Sequence, residues 1–306
     1  MKLSTHSGFR IYKGEILPAT LKRVVQEQLN LMLGMSESFT HNPDYVTHEI
    51  RKTTKRIRAV NRLFRNALGE AIYIRNKELF GSLSSLLAEH RVSAVHLEIL
   101  KGIARDAENP LGEKLMNEMI TAQQQSHLEL TKQLIDKKQT MLSIKQILNS
   151  ESEKSDRDPI IVCGYHDIVK GLKGTYRGGT KCLNVLTAQP GTENFHNLRK
   201  KVKMIWNQLI LLRPVWPAMI TPMVRQMDLL AEKLGADHDL AELENWVLTG
   251  NIGNGHEETI LKLISYISGK RKIGQKAIIN SALKLYAEKP AAFAGRMATY
   301  CRLYWG

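Results

Sequence analysis

Cysteine and aromatic residues are both scarce in this sequence of 306 residues. The three cysteines, Cys163, Cys182 and Cys301, lie far apart and form no CxxC pair and no Cys/His pair. A disulfide framework and a structural zinc site are therefore not expected, and a reducing compartment is favoured. Aromatic side chains make up 6% of the residues and do not alternate with the basic ones, which argues against a stacking platform for single-stranded nucleic acid.

Long apolar segments are also missing. No apolar run is long enough to cross a bilayer, and the opening residues MKLSTHSGFRIYKG lack the apolar centre of a signal peptide. The sequence therefore predicts a soluble cytoplasmic protein with no membrane partner.

Motifs that carry catalysis or bind a metal are absent too. The glycines of GNIGNGHEET, residues 250–259, are not followed by the GK[ST] ending of a phosphate-binding loop, and His256 lacks the HExxH spacing of a zinc site. The triplet from Asp237 to Asp239 has no nucleophile or second acid placed with it. We predict a protein that is not an enzyme, with no catalytic residue, no cofactor and no metal.

Acidic residues are few relative to basic ones: 30 Asp and Glu stand against 44 Lys and Arg, a formal net charge of +14. Such an excess repels itself in a compact chain, and a polyanionic partner is its usual explanation. The candidates are nucleic acid, an anionic membrane surface and free polyphosphate.

Helical periodicity dominates the rest of the sequence, and DPIIVCGY, residues 158–165, is the one short strand candidate. Asn42 and Pro43 are typical of a helix start. The polar stretch Asn149 to Asp158 favours a linker, which divides the chain into 1–150, 151–159 and 160–306. We predict an all-α protein made of two helical bundles. The predicted helices are 16–33, one starting at 42, 73–107, 111–148, 167–187, 192–212, 218–234, 256–268, 273–286 and 291–304.

The two halves contain a repeated motif. The pattern H-x-x-R-K-x-x-K occurs twice, 148 residues apart, which indicates an internal duplication. Its two copies consist of His48, Arg51, Lys52 and Lys55, and of His196, Arg199, Lys200 and Lys203.

Each copy places its basic residues on one face of a helix, because positions i, i+3, i+4 and i+7 share a face. Unpaired like charges at this spacing cost about 0.2–0.5 kcal/mol per pair. We expect neither face to carry interleaved acids, so both faces are predicted to bind an anion. His48 and His196 open the two faces, and an imidazole can donate a hydrogen bond to a phosphate oxygen.

The sequence resembles the CHAD domain, the conserved histidine α-helical domain, from about Glu15 to Tyr304. The resemblance rests on HEIRKTTKRIRA, GLKGTYRGGTKCLN, FHNLRKKVKMIWNQLILLRPVWP, LGADHDLAEL and LYAEKPAAFAGRMATYCRLY, which occur in this order. It implies two four-helix bundles related by a pseudo-twofold axis, with a basic groove or pore between them. It also implies non-catalytic binding of long-chain inorganic polyphosphate.

The resemblance implies a set of polyphosphate ligands in this chain. The first copy would supply His48, Arg51, Lys52, Lys55, Arg56 and Arg58, and the second copy His196, Arg199, Lys200 and Lys203. Tyr176, Arg177, Lys181 and Lys289 would join them. Met204 and Trp206 occupy the positions that match Arg56 and Arg58, so the first copy is expected to contribute more. Asp239 is expected to orient a neighbouring base or to cap a helix.

Three kinds of partner follow from this reading. They are long-chain polyphosphate itself, polyphosphate granules and enzymes that metabolise polyphosphate, and the expected location extends to the granules. The alternative is a general polyanion-binding or nucleic-acid-binding helical protein, since attraction to phosphate is blind to sequence.

Overall fold

The computed structural model describes residues 8–136, 138–160, 164–249 and 257–306, and every regular element in these ranges is helical. The all-α prediction is confirmed. Residues 161–163 of the strand candidate, which include Cys163, and residues 250–256 of the glycine-containing segment, which include His256, lie outside the described residues. The helices are α1 (Leu17–Glu37), α2 (Pro43–Leu63), α3 (Arg65–Leu86), α4 (Ala88–Ala104), α5 (Gly112–Asp136), α6 (Lys138–Arg157), α7 (Tyr165–Ala188), α8 (Thr192–Leu212), α9 (Pro217–Leu248), α10 (Glu257–Leu285) and α11 (Pro290–Trp305).

No helix among the described residues is long and apolar enough to cross a membrane. Cys182 and Cys301, the two cysteines within the described ranges, are both free thiols.

Several helix boundaries differ from those predicted. The single helix predicted over 73–107 is divided at Leu87 into α3 and α4, whereas the two helices predicted over 256–286 form one helix, α10. The polar residues in the middle of α10 keep it helical by pairing with other elements. Arg271 Nε lies 3.2 Å from Asp237 of α9, and Lys270 Nζ lies 3.1 Å from Asp106.

The linker predicted at 151–159 is wrong in its conformation, because α6 continues to Arg157. One side of this segment packs against α1, while Glu153, Lys154, Asp156 and Arg157 are exposed. Gln26 Nε2 donates to the Ser152 carbonyl at 2.6 Å, and Ser152 Oγ donates to Gln26 Oε1 at 2.7 Å. Glu151 is buried and lies 3.4 Å from Arg75. Polar composition alone could not reveal these long-range partners.

The packing of the helices repeats between the halves. Helix α1 packs against α2 and α6, and α7 packs in the same way against α8 and α11; α4 packs on α5 as α9 packs on α10. The two helices that carry the repeated motif, α2 and α8, are neighbours across the halves. Gln208 Nε2 of α8 donates to the Ala59 carbonyl of α2 at 3.1 Å. The pseudo-twofold axis and the two four-helix bundles remain predictions.

Both hydrophobic cores draw on both halves of the chain. The larger core joins Ile57 of α2 to Leu172 of α7 and Leu209 of α8, all fully buried. The smaller core joins Leu100 of α4 to Leu243 of α9. Because burial of apolar side chains is the main favourable term in folding, the halves stabilise each other, and α2 and α8 are held in fixed relative positions.

Gly171 marks the closest approach of α7 to α2, since a Cβ atom at this position would lie 2.2 Å from the Leu63 carbonyl oxygen. Backbone cannot rotate away as a side chain can, so Gly171→Ala should lower the free energy of unfolding by about 3 kcal/mol. Urea denaturation measures this. The matched control is Gly174→Ala, one turn along α7, where the nearest atom lies 3.9 Å away; it should be neutral or stabilising. Equal stabilities of the two variants would contradict this packing.

Candidate functional site

A cavity of about 440 Å³ lies between the basic helices α2 and α8 and is bordered by α3 and α7. Among the residues that the structure describes, its lining includes eight Lys or Arg residues and no Asp or Glu. Each half of the chain supplies four of these cations, and the expectation that the first copy contributes more to binding remains a prediction. We term it the cationic cavity, and its basic residues are Lys55, Arg58, Arg62, Lys77, Arg199, Lys200, Lys201 and Lys203.

The local sequence fixes the orientation of both basic helices. Helix α2 starts at Pro43 after Asn42, whose side chain accepts a hydrogen bond from the Tyr45 amide, as the sequence predicted. The fully buried side chains Ile57 of α2 and Leu198 of α8 anchor the opposite faces in the core. The basic residues are therefore turned outward into a shared space.

The cations of the cavity affect one another. Lys55 is partly accessible to water, but the cavity walls reduce its hydration, and this lowers its pKa to about 8, with Arg199, Arg51 and Lys203 adding to the shift. Reduced hydration also lowers the pKa of Lys203. The negative charge of Asp228 raises this pKa, whereas the positive charge of Arg199 lowers it further. Both shifts report an excess of positive charge that an anion would relieve.

Acidic residues beside the basic helices pair with single cations at the edge of this region. Asp239 lies 3.9 Å from Arg199, and its expected role in orienting a neighbouring basic residue remains a prediction. Burial raises the pKa of Asp239 in spite of that neighbour. The expectation that neither face carries an interleaved acid is wrong for the first copy, because Lys52 Nζ lies 2.8 Å from Glu49. The positive charge of Lys52 is therefore partly neutralised by a carboxylate of the same helix.

His48 and Arg51 extend the basic surface beyond the cavity, two turns and one turn before Lys55 respectively. Arg51 Nη1 donates to the Ser84 carbonyl at the end of α3. Reduced hydration, followed by the charge of Arg91 in α4, lowers the pKa of both His48 and Arg51. Arg91 thus belongs to the same electrostatic neighbourhood, although the sequence analysis did not select it.

His196 lies apart from the cationic cavity. It lines a second cavity of about 770 Å³, together with His238, Glu193, Glu242 and other residues of α8 and α9. His196 Nδ1 lies 3.1 Å from His238 Nδ1, so one of the two must carry a proton for the other to accept. Burial and the charge of His238 lower the pKa of His196. An acid-containing lining is unfavourable for a polyanion. His196 does not line the cationic cavity, although its neighbours one turn along α8, Arg199 and Lys200, do.

Two residues of the implied ligand set are part of the core. Arg56 is 3% exposed, and its guanidinium lies 5.5 Å from the Phe9 ring and donates to Gln28 at 3.5 Å. Tyr176 is 1% exposed, stacks on Phe293 at 4.1 Å and donates to the Leu285 carbonyl at 3.1 Å. Neither side chain is accessible to an external anion in this structure, which argues against both assignments.

Three other implied ligands lie at the surface but do not line the cavity. Arg177 and Lys181 are exposed on α7, and Lys289 is exposed immediately before α11. Their contact with a polyanion remains a prediction.

Eight lining residues were not in the predicted ligand set, among them the cations Arg62, Lys77 and Lys201 and the aromatic residue Tyr73. Arg62 continues the spacing of Lys55 and Arg58 and was recognisable as part of the same face, and Lys201 follows Lys200 directly. Tyr73 and Lys77 come from α3, and no local pattern marks them. Arg62 Nη1 lies 3.4 Å from the Tyr73 hydroxyl, and the Arg65 guanidinium lies 4.7 Å from the centre of the Tyr73 ring. These contacts hold the tyrosine at the cavity wall.

Comparison with known proteins agrees with this architecture. Two solved structures resemble the chain across nearly all of its length. The crystal structure of the CHAD domain from the plant Ricinus communis shares 14% identity with a TM-score of 0.64, covering 92% of this chain and 96% of the other. PptA from Streptomyces chartreusis shares 10% identity with a TM-score of 0.62, covering 90% of this chain and 100% of the other.

At these identities the two structures show likeness of fold. A comparison with curated proteins gave no match. The family model of the CHAD domain matches residues 23–248, well over half of the sequence, and the chain therefore belongs to the CHAD domain family.

Proposed function

We propose that this protein binds long-chain inorganic polyphosphate in the cationic cavity without chemically altering it. The observation that carries the proposal is the lining itself, in which eight Lys and Arg side chains converge from both repeats and no carboxylate is present. Membership in the CHAD domain family supports the same ligand.

The chemistry of the lining suits a linear chain of phosphates. Arginine presents a planar fork that can hold two phosphate oxygens, whereas lysine acts as a compact point charge. Arg58, Arg62 and Arg199 supply the first kind of contact, and the lysines supply the second. Since each half provides four cations to one cavity, a long anion would contact more of them at once than a short one would.

A nucleic acid is the alternative ligand, but the cavity offers few aromatic side chains on which its bases could stack. Tyr73 is the one aromatic residue of the lining, and a cation already sits over its ring. Stacking on aromatic side chains is a main source of affinity for single strands. The proposed partners are therefore polyphosphate and, through it, polyphosphate granules or the enzymes that metabolise polyphosphate.

A series of chain lengths tests the proposal. At one fixed salt concentration near physiological, the affinity per molecule should rise steeply from triphosphate to chains that span both repeats. It should then rise only slowly, because no further cations of the cavity remain to be contacted. Isothermal titration with size-fractionated polyphosphate measures this. If triphosphate binds as tightly as long chains, the anion does not span the repeats and the proposal fails.

The lowered pKa of Lys55 predicts how binding depends on pH. A bound polyanion favours the charged amine, so affinity should fall as the pH rises from about 7 to 9 and Lys55 loses its proton. Arginine stays charged over this range, so Lys55→Arg should flatten the decline. Lys200→Arg is the matched control and should keep the wild-type decline, because Lys55 is intact. Identical pH profiles for all three proteins would contradict this role of Lys55.

A further inference from the structure

A cluster of three potential metal ligands lies outside both cavities, where α2, α4 and α5 meet. Asp44 lies in the first turn of α2, His90 in α4 and His127 in α5. Asp44 Oδ1 is 3.0 Å from His127 Nε2 and 3.4 Å from His90 Nε2. All three ligand atoms lie within 4.8 Å of one another. The same nitrogen of both rings is therefore directed at one carboxylate oxygen.

Two of the three separations are close to the edge length of a coordination tetrahedron. Zinc binds imidazole nitrogen and carboxylate oxygen at about 2.0–2.2 Å, which places neighbouring ligands of a tetrahedral site about 3.3–3.5 Å apart. The distance from Asp44 Oδ1 to His127 Nε2, 3.0 Å, is slightly shorter than this range, and the distance to His90 Nε2, 3.4 Å, lies within it. An ion could enter with small adjustments of the side chains.

A fourth polar group faces the same point. Thr131 Oγ1 lies 3.0 Å from His90 Nε2 and donates its hydrogen to the His127 carbonyl at 2.8 Å. Because that hydrogen is committed, Oγ1 accepts from His90 Nε2, and this lone pair would face an ion that replaced the Nε2 proton. The His90 side chain is 1% exposed and that of His127 11%, whereas that of Asp44 is 54% exposed. The cluster is thus closed on the imidazole side and open on the carboxylate side, where an ion could enter.

We propose that Asp44, His90 and His127 bind one divalent metal ion of the zinc class. Imidazole and carboxylate ligands without sulfur suit Zn²⁺ and its first-row neighbours. The sequence predicted no metal site, because the three ligands are separated by 46 and 37 residues and no local spacing joins them.

The affinity of this site should be moderate. Ligating histidines usually anchor their second ring nitrogen to a carboxylate or carbonyl, and loss of such anchors weakens binding by about 10- to 100-fold. Neither His90 Nδ1 nor His127 Nδ1, both buried, has a hydrogen-bond partner among the described residues. We therefore expect weaker binding than at a fully supported zinc site.

Titration of the full chain with Zn²⁺ tests the proposal, after treatment with a chelator and removal of bound polyanion. The wild-type protein should bind one ion at this site, and Co²⁺ should give the intense visible absorption of a tetrahedral complex. Asp44→Asn keeps the shape and the hydrogen-bond acceptor but removes the anionic ligand, so it should weaken Zn²⁺ binding at least tenfold. His127→Gln should do the same. His166→Gln, which alters a histidine outside the cluster, is the control and should bind like the wild type.

Two results would overturn the proposal. The first is that the wild type does not bind Zn²⁺, or that Asp44→Asn and His127→Gln both bind it as tightly as the wild type does. The other is binding that survives Asp44→Asn but disappears in His238→Asn, because His238, Asp239 and Glu242 form a second group of nearby ligand atoms. Asp44 is exposed, so its variant keeps the test decisive if His127→Gln fails to fold. None of Asp44, His90 and His127 lines the cationic cavity. The zinc proposal can therefore be refuted without refuting the polyphosphate proposal, and the reverse also holds.

Discussion

Replacement of both Lys55 and Lys200 by glutamate should lower the affinity for long-chain polyphosphate by at least about 100-fold. A hydrogen bond to a charged group contributes roughly 1.5–3 kcal/mol, so the loss of two such contacts corresponds to about 100- to 10,000-fold. The two new carboxylates would add repulsion in a cavity whose lining otherwise has none. Both side chains are exposed, so the fold should persist. Titration with labelled polyphosphate measures the affinity, and circular dichroism checks the fold.

The matched control for this variant is Lys114→Glu combined with Lys132→Glu. Both lysines are exposed on α5, a helix that contributes no residue to the cavity, and the change in net charge is the same. We expect the control to bind within a few-fold of the wild type. If the two double variants lose affinity equally, binding follows the overall charge of +14, and the cationic cavity is not the site.

The second large effect that we expect is a steep fall in the affinity for polyphosphate as the salt concentration rises. A protein that neutralises phosphates releases condensed counterions, and for single-stranded polyanions the logarithm of affinity falls with the logarithm of salt concentration with a slope of about −0.7 per contact. Engagement of all eight cations gives a slope of about −5 to −6. Between about 50 and 200 mM salt the affinity should therefore fall about a thousandfold. Titrations at four or five salt concentrations give the slope directly.

The slope also counts the contacts that a variant has lost. Replacement of both Lys55 and Lys200 by alanine should make the slope shallower by about 1.4, or two contacts. The alanine pair is preferable to the glutamate pair here, because it removes contacts without adding repulsion. A wild-type affinity that hardly changes with salt would mean that binding does not depend on ion pairs with phosphate, which contradicts the proposed mode.

The sequence was most informative where function depends on helix periodicity. The repeated motif predicted two helices with basic fronts and apolar backs, and α2 and α8 have this form. Lys55, Arg58, Arg199, Lys200 and Lys203 all line the cationic cavity, and their contact with polyphosphate remains a prediction. Periodicity succeeds for these residues because the apolar back fixes the rotation of each helix against the core.

The sequence was less informative where a neighbouring helix decides the environment of a side chain. Arg56 is one position after Lys55, which turns it by about 100°, and that flank of α2 meets Gln28 of α1. Tyr73 and Lys77 reach the cavity only because α3 folds back beside α2. The polar end of α6 could not be distinguished from a linker until its hydrogen bonds with Gln26 were known. Contacts between distant segments were the missing information in each case.

The most direct test of the central claim is a competition titration. Labelled long-chain polyphosphate would be bound near physiological salt and then challenged with unlabelled polyphosphate, triphosphate, duplex DNA and single-stranded RNA at equal phosphate concentration. A dedicated polyphosphate site predicts that long-chain polyphosphate displaces the label and that the other three compete at least tenfold more weakly. Equal competition per charge by DNA or RNA would contradict the account and would make the cationic cavity a general polyanion surface.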